Sequence, residues 1–138
     1  MSEKTLRKYV SQGLKPFGHL SQIESHATSV GFPDTNFCIG GVEGGIELKY
    51  WSAKKGYVLR KNQIAWMRDR LKAGGLVFLL FLREQDGKHY FLIKLDKFSL
   101  AAVSSSSKAA DWETQACESW NGRMDFKHLK EALTNERN

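Results

Sequence analysis

GFPDTNFCIGGVEGGIELKYW, residues 31–51, contains two strand patterns joined by a glycine-rich connection. In residues 46–51 apolar and polar side chains alternate, which is the period-2 pattern of a strand with one buried face. A Gly-Phe-Pro break precedes the other strand pattern, which covers residues 34–39. The glycine-rich connection can fold the two strands into a hairpin. We therefore expect Asp34, at the start of the first strand, to lie close to Glu47 in the second.

The charged residues of this hairpin favour divalent-cation chemistry. Two carboxylates held together in a partly buried place repel each other unless a divalent cation neutralises them. Oxygen ligands of the kind that Mg²⁺ or Mn²⁺ accepts are available from Asp34, Glu47 and the backbone carbonyl of Leu48. Glu24 would complete this shell directly or through water. Such an ion acidifies a bound water and stabilises charge on a phosphodiester, and Lys49 would orient that water or share the transition-state charge.

Each of these residues also has a purely structural explanation. Asp34 follows a proline and is a common way to begin a turn. Glu47 and Lys49 can form an exposed charge pair on an ordinary half-buried sheet. Glu24 is a commonplace residue on a helix surface. The joint pattern favours a site over these separate explanations.

Four short motifs, taken in this order and spacing, resemble the P-D…(D/E)-x-K nuclease superfamily: Glu24, Gly31-x-Pro33-Asp34, Glu47-x-Lys49 and Gln63-x-x-Trp66. The similarity is greatest to the small VRR-NUC and archaeal Holliday-junction-resolvase-like branches, which include short phage-encoded members. It implies that Asp34 and Glu47 bind the metal and that Lys49 is catalytic. It also implies that Glu24 assists from the preceding helix and that Gln63 contacts the site from the following helix.

Hydrophobic spacing predicts helices on both sides of the hairpin. The first covers Glu3–Leu14, and a second short helix through Leu20 and Ile23 would carry Glu24. A third covers Lys61–Ala73 and ends at a Gly-Gly pair. On this third helix Gln63 would hydrogen-bond a metal-bound water or a phosphate, whereas Trp66 is expected to pack in the core rather than to stack on bases.

Two further strands complete the expected sheet. Leu76–Leu82 is continuously apolar, as expected of a central strand covered on both faces, and the Asp-Gly turn in Gln85–Lys88 leads to a strand over His89–Leu95. We therefore predict an α/β fold with a mixed central β-sheet flanked by helices, in the restriction-endonuclease-like order αβββαβ. Residues 1–103 would form the nuclease core with its N-terminal helix. Residues 104–138, which begin with four serines, would form a C-terminal extension that packs on the same domain.

The charge balance favours a polyanionic partner. The 138 residues include 21 Lys and Arg against 15 Asp and Glu, which gives a formal net charge of +6. A chain of this length can bury a real core as one domain. Surface-charged helices and loops are usually just solvated, so each basic residue also has that explanation. The residues predicted to contact nucleic acid are Arg7, Lys8, Lys54, Lys55, Arg60 and Lys61.

Other features narrow the class of protein. Cys38 and Cys117 are far apart and lack the paired spacing of a zinc site. The longest apolar run is far shorter than the roughly 20 residues that span a bilayer. We therefore expect a soluble protein that does not contact a membrane. We expect it in the cytoplasm, or in the cytoplasm of the host if the protein is phage-encoded.

These patterns together predict a Mg²⁺- or Mn²⁺-dependent endonuclease that hydrolyses phosphodiester bonds in branched or duplex DNA. The family resemblance implies a homodimer, which would place two sites to cut two strands. Two alternatives stay open: a noncatalytic DNA-binding module that keeps the nuclease fold, and an RNA endonuclease.

Overall fold

A six-stranded mixed β-sheet organises the chain, which the computed structural model describes over residues 2–23 and 31–135. The strands lie in the order β1-β2-β3-β4-β5-β6, and every neighbouring pair is antiparallel except β3 and β4. A short 3-10 helix, Lys15–Phe17, separates the first helix from the first strand. The elements are α1 Glu3–Leu14, β1 His19–Gln22, β2 Thr35–Ile39, β3 Val42–Tyr50, α2 Lys61–Lys72, β4 Val77–Glu84, β5 Lys88–Lys94, α3 Lys97–Ser104, α4 Ala109–Glu113, β6 Glu118–Asn121 and α5 Phe126–Thr134.

The predicted fold class is confirmed. The chain is an α/β fold in which helices cover a mixed sheet, and its first six main elements run in the order αβββαβ. The helices α1 and α5 pack on one face of the sheet, and α2, α3 and α4 pack on the other. Among the described residues, none of the helices has the length and apolar character needed to cross a membrane.

The central strand β4 explains why the sheet needs helices on both faces. Its side chains alternate between two separate hydrophobic clusters. Phe78 and Leu80 belong to the cluster beneath α1 and α5, whereas Leu79 and Phe81 belong to the cluster beneath α2, α3 and α4. All four are fully buried. The continuously apolar segment was therefore correctly predicted as a strand covered on both faces.

The helix predicted through Leu20 and Ile23 is wrong. Residues 19–22 form strand β1, which pairs with β2 in the register His19↔Cys38 to Gln22↔Thr35. A short helix is only marginally stable by itself, whereas an extended chain over residues 19–22 gains a full ladder of hydrogen bonds with β2. Glu24, which this helix was expected to carry, lies outside the described residues.

The β2–β3 hairpin is confirmed, with a tighter turn than expected. Gly40 and Gly41 have φ angles of 58° and 83° and form the whole turn, as the two-residue hairpin loops that need positive φ at both positions do. Strand β3 therefore begins at Val42, and Gly44 and Gly45 belong to it. Thr35 pairs with Ile46 at the far end of the ladder.

Beyond residue 104 the chain continues the same sheet. The run of serines begins at the last residue of α3, and β6 then pairs with β5 as the edge strand. Leu129 and Leu133 of α5 are buried in the cluster that also contains the apolar face of α1. The C-terminal residues therefore pack on the same domain, as expected.

Candidate active site

A difference in strand length creates the candidate site. Strand β2 begins only at Thr35, opposite Ile46, whereas its partner β3 continues from Ile46 to Tyr50 along β4. Asp34 fills the place beside β3 that β2 leaves open. Its Oδ2 accepts a hydrogen bond from the Leu48 N–H at 3.2 Å, and its own N–H donates to Oε1 of Glu47 at 3.2 Å. The expected approach of Asp34 to Glu47 is therefore present in the structure.

A glycine in β3 allows this approach. A Cβ built on Gly45 would lie 2.8 Å from Cγ of Pro33, closer than real side chains come. The ring of Pro33 thus packs directly on the backbone of β3. Since Pro33 precedes Asp34, this contact holds the Asp34 carboxylate just before the first residue of β2.

Glu47, Lys49 and Gln63 form a buried network on the α2 face of the sheet. Their exposed fractions are 3%, 6% and 4%. Oε2 of Glu47 lies 3.3 Å from the Lys49 ammonium and accepts a hydrogen bond from Nε2 of Gln63 at 2.9 Å. Oε1 of Gln63 accepts from Lys49 at 3.0 Å and from the Arg60 N–H at 3.0 Å. Gln63 therefore joins the first turn of α2 to the charged pair on β3. The structure thus brings Gln63 to two of the other predicted site residues, Glu47 and Lys49.

The surroundings of Asp34 and Glu47 raise the pKa of both carboxylates. Burial, and then the negative charge of Glu47, raises the pKa of Asp34 to about 7. Burial also raises the pKa of Glu47, against the opposing effect of the Lys49 ammonium. The Lys49 ammonium pairs with Glu47, and a cation added beside Asp34 and Glu47 would stabilise the ionised form of both carboxylates.

The donor set fits a hard divalent cation. In a strand the N–H and C=O of one residue point toward the same neighbour, so the carbonyl of Leu48 faces the side on which Asp34 lies. Asp34, Glu47 and this carbonyl offer oxygen only, which suits Mg²⁺ or Mn²⁺. Within residues 2–23 and 31–135 no group of three or more His, Cys, Asp or Glu side chains is placed to hold a metal. Two carboxylates are nevertheless enough for Mg²⁺, which commonly keeps several waters and substrate phosphate oxygens.

Helix α1 contributes two residues whose place at the site the sequence did not reveal. The charge of Arg7 lowers the pKa of Asp34, and the charge of Glu3 raises that of Glu47. The Nε of Arg7 is buried and has no hydrogen-bond partner among the described residues. Arg7 had been predicted to touch a phosphate backbone, but not beside Asp34. The i, i+4 spacing of these two residues shows that they share one helix face, but it does not show where that face docks.

Other residues predicted to contact nucleic acid lie on the surface. Lys54 and Lys55 are exposed in the turn after β3, and Arg60 and Lys61 are exposed where α2 begins. A separate set of basic residues, which includes Arg7, lines a groove of about 640 Å³ between α1 and β1. We call it the α1 groove, and its basic residues are Lys4, Arg7, Lys8, Lys15 and His19.

Comparison of the sequence with known proteins finds no matching family model and no matching curated protein.

Proposed function

We propose that the protein is a Mg²⁺- or Mn²⁺-dependent endonuclease that hydrolyses phosphodiester bonds of DNA. The observation that carries this proposal is the close approach of the partly buried Asp34 to the buried Glu47, which is paired with the Lys49 ammonium. The pKa values of both carboxylates are raised. Raised pKa values mean that the two ionised carboxylates cost stability at neutral pH, and their charge opposes DNA binding, so a purely structural role does not explain them. A divalent cation that also binds a phosphodiester does.

A bound divalent cation would lower the pKa of a coordinated water and neutralise charge on the phosphodiester. Asp34, Glu47 and the Leu48 carbonyl would hold it. Lys49 has three N–H donors, of which Glu47 and Gln63 take two. The third can donate to the attacking water or to a phosphate oxygen.

Gln63 and Arg7 would support this chemistry from the two helices. Because Gln63 bonds both Glu47 and Lys49, it fixes the ammonium at the site before substrate arrives. The guanidinium of Arg7 has a buried donor without a protein partner among the described residues, which suits it to a phosphate oxygen near Asp34. Both residues would position substrate and catalytic groups.

Basic surface next to the site supports nucleic acid as the substrate. The α1 groove contributes Arg7 to the site, and the formal net charge of the chain is +6. The resemblance to the P-D…(D/E)-x-K superfamily and its small junction-resolving branches supports branched DNA as the substrate and a homodimer as the active form.

Cleavage assays test this proposal directly. We would incubate labelled four-way junction, flap, linear duplex, single-stranded DNA and RNA with Mg²⁺, Mn²⁺, Ca²⁺ or EDTA. Asp34→Asn and Lys49→Met would be compared with two matched variants of exposed residues on α2, Asp69→Asn and Lys72→Met. Metal-dependent cutting that falls at least about 100-fold in the two site variants only is the expected result. Tight binding without cutting in either Mg²⁺ or Mn²⁺ would replace the proposal with a noncatalytic DNA-binding module, and cutting of RNA alone would replace it with an RNA endonuclease.

A further inference from the structure

A pocket with aromatic and polar walls lies directly beside Asp34. Its volume is about 400 Å³, within the range of small-molecule sites. The ring of Phe32 packs edge-on against Trp66 with centroids 5.4 Å apart, and the guanidinium carbon of Arg70 lies 4.6 Å from the centroid of the Trp66 ring. We call this the Phe32–Trp66 pocket. Trp66 packs against the hydrophobic cluster beneath α2, α3 and α4, as expected, but it is only partly buried and also lines the wall of this pocket.

The pocket adjoins the candidate active site through the residues next to Asp34. Pro33 and Thr35, the residues on either side of Asp34, both line it. The hydroxyl of Thr35 lies 3.2 Å from Oδ1 of Asp34. Phe32 is two residues from Asp34, so their Cα atoms are at most about 7 Å apart. A base next to a phosphodiester held at Asp34 can therefore reach the ring of Phe32.

The chemistry of the walls matches that of a nucleobase. Phe32 leaves 42% of its surface exposed and offers stacking to the face of any base, and Arg70 lines the same pocket over the Trp66 ring. Asn36 and Glu43, which also line the pocket, carry the amide and carboxylate groups that bond base edges. A base that is paired and stacked inside a duplex cannot enter such a pocket, whereas an unpaired one can.

We propose that the Phe32–Trp66 pocket receives an unpaired nucleobase adjacent to the phosphodiester that is cut. This inference rests on the proposed function and narrows its substrate to nucleic acid with an unpaired nucleotide at the cleavage point. A second copy of the chain fits the surface less well. Phe32 is the only exposed large hydrophobic residue there within the described ranges, while stable interfaces bury about 800 Å² per partner around an apolar core.

Binding without cleavage tests the pocket. In EDTA, we would measure the affinity of wild type, Phe32→Ala and Phe32→Tyr for a DNA flap with 2-aminopurine as its first unpaired base, and for a fully paired duplex of equal length. Phe98→Ala is the matched control, because Phe98 is 73% exposed and does not line the pocket. Phe32→Ala is expected to bind the flap about 5- to 150-fold more weakly, whereas its affinity for the duplex stays within about twofold. Phe32→Tyr and Phe98→Ala should match wild type on both.

Several results would overturn the inference. Equal losses on flap and duplex, or no loss on the flap, would remove a role in base stacking. Unchanged 2-aminopurine fluorescence when wild type binds would do the same without any variant. A change from dimer to monomer in Phe32→Ala, measured by light scattering, would assign the pocket to a second copy. An enzyme that cuts through Asp34 but is indifferent to Phe32→Ala would refute this inference alone, whereas a protein that stacks the flap base through Phe32 and cuts nothing would refute the proposed function alone.

Discussion

Replacing Asp34 with Asn is expected to stabilise the metal-free protein above neutral pH. Burial and Glu47 raise the pKa of Asp34 from 3.8 to about 7, so between these values the folded protein keeps a proton that the unfolded chain has lost. The free energy of unfolding therefore falls as the pH rises through this interval, and it levels off above the folded-state pKa. The whole interval corresponds to about 4 kcal/mol at most. Asn does not titrate and retains an acceptor for the Leu48 N–H, so it avoids this loss.

Urea denaturation in EDTA at about pH 5 and about pH 8 measures this effect. The stability of Asp34→Asn relative to wild type should rise by about 3 kcal/mol between the two conditions, because most of the interval lies between them. Comparing the two proteins cancels the titrating groups that do not interact with Asp34, whereas Glu47 loses a neighbouring charge in the variant and contributes to the difference. Asp69→Asn, an exposed change of the same kind, is the control. Added Mg²⁺ should restore stability to wild type at the higher pH and leave Asp34→Asn unchanged. A relative stability that does not depend on pH would refute the raised pKa of Asp34 in the folded protein.

Three further substitutions test how the site is held together. Gly45→Ala should destabilise the protein by about 1–3 kcal/mol in thermal denaturation and weaken the stabilisation by Mg²⁺, because the new Cβ would collide with Pro33 and displace the residue after it. Gln63→Ala should destabilise by a similar amount and lower kcat more than it raises KM, since it leaves Lys49 without its amide partner. Arg7→Ala should weaken DNA binding and reduce the slope of log affinity against log salt by about 1, as measured by fluorescence anisotropy at several salt concentrations.

Gly45→Ala and Arg7→Ala each have a matched control variant, and Gln63→Ala has a diagnostic kinetic outcome. Gly74→Ala changes a glycine whose Cβ would meet no atom within 4 Å, although its φ of 88° adds strain, so it should leave the response to Mg²⁺ intact. Lys127→Ala removes an exposed charge from α5, and an equal change in salt slope would show that Arg7 acts only through net charge. A KM effect without a kcat effect in Gln63→Ala would mean that Gln63 binds substrate and does not position Lys49.

The parts of the fold that follow from local pattern could be predicted from sequence. The hairpin at Gly40 and Gly41 and the continuously apolar β4 combine strong patterning with clear turn chemistry, and the structure confirms both. Strand β1 could not be predicted, because its four residues carry a single partly buried apolar side chain, Leu20, and owe their conformation to pairing with β2. Here tertiary pairing overrode local preference.

The candidate site divides in the same way. Asp34, Glu47 and Lys49 were predictable because a two-residue spacing on one strand and a hairpin between two strands fix which side chains meet. The approach of Arg7 to Asp34 depends on how α1 docks across the sheet, and no local spacing encodes that. The contact of Phe32 with Trp66 likewise joins residues far apart in the chain.

The site depends on one feature of the fold: β2 begins later than the part of β3 that it would otherwise cover. Had β2 begun earlier, its backbone would have accepted the hydrogen bond of the Leu48 N–H and covered the edge of β3. Because it does not, the side chain of Asp34 accepts that hydrogen bond, and its charge lies beside Glu47. The pKa values of both carboxylates are raised there, which costs stability at neutral pH. On the proposed function a bound cation would offset this cost, as expected where an active site exchanges stability for function. A protein selected for stability alone would carry a neutral residue at position 34, and the carboxylate found there is therefore the residue most in need of a functional explanation.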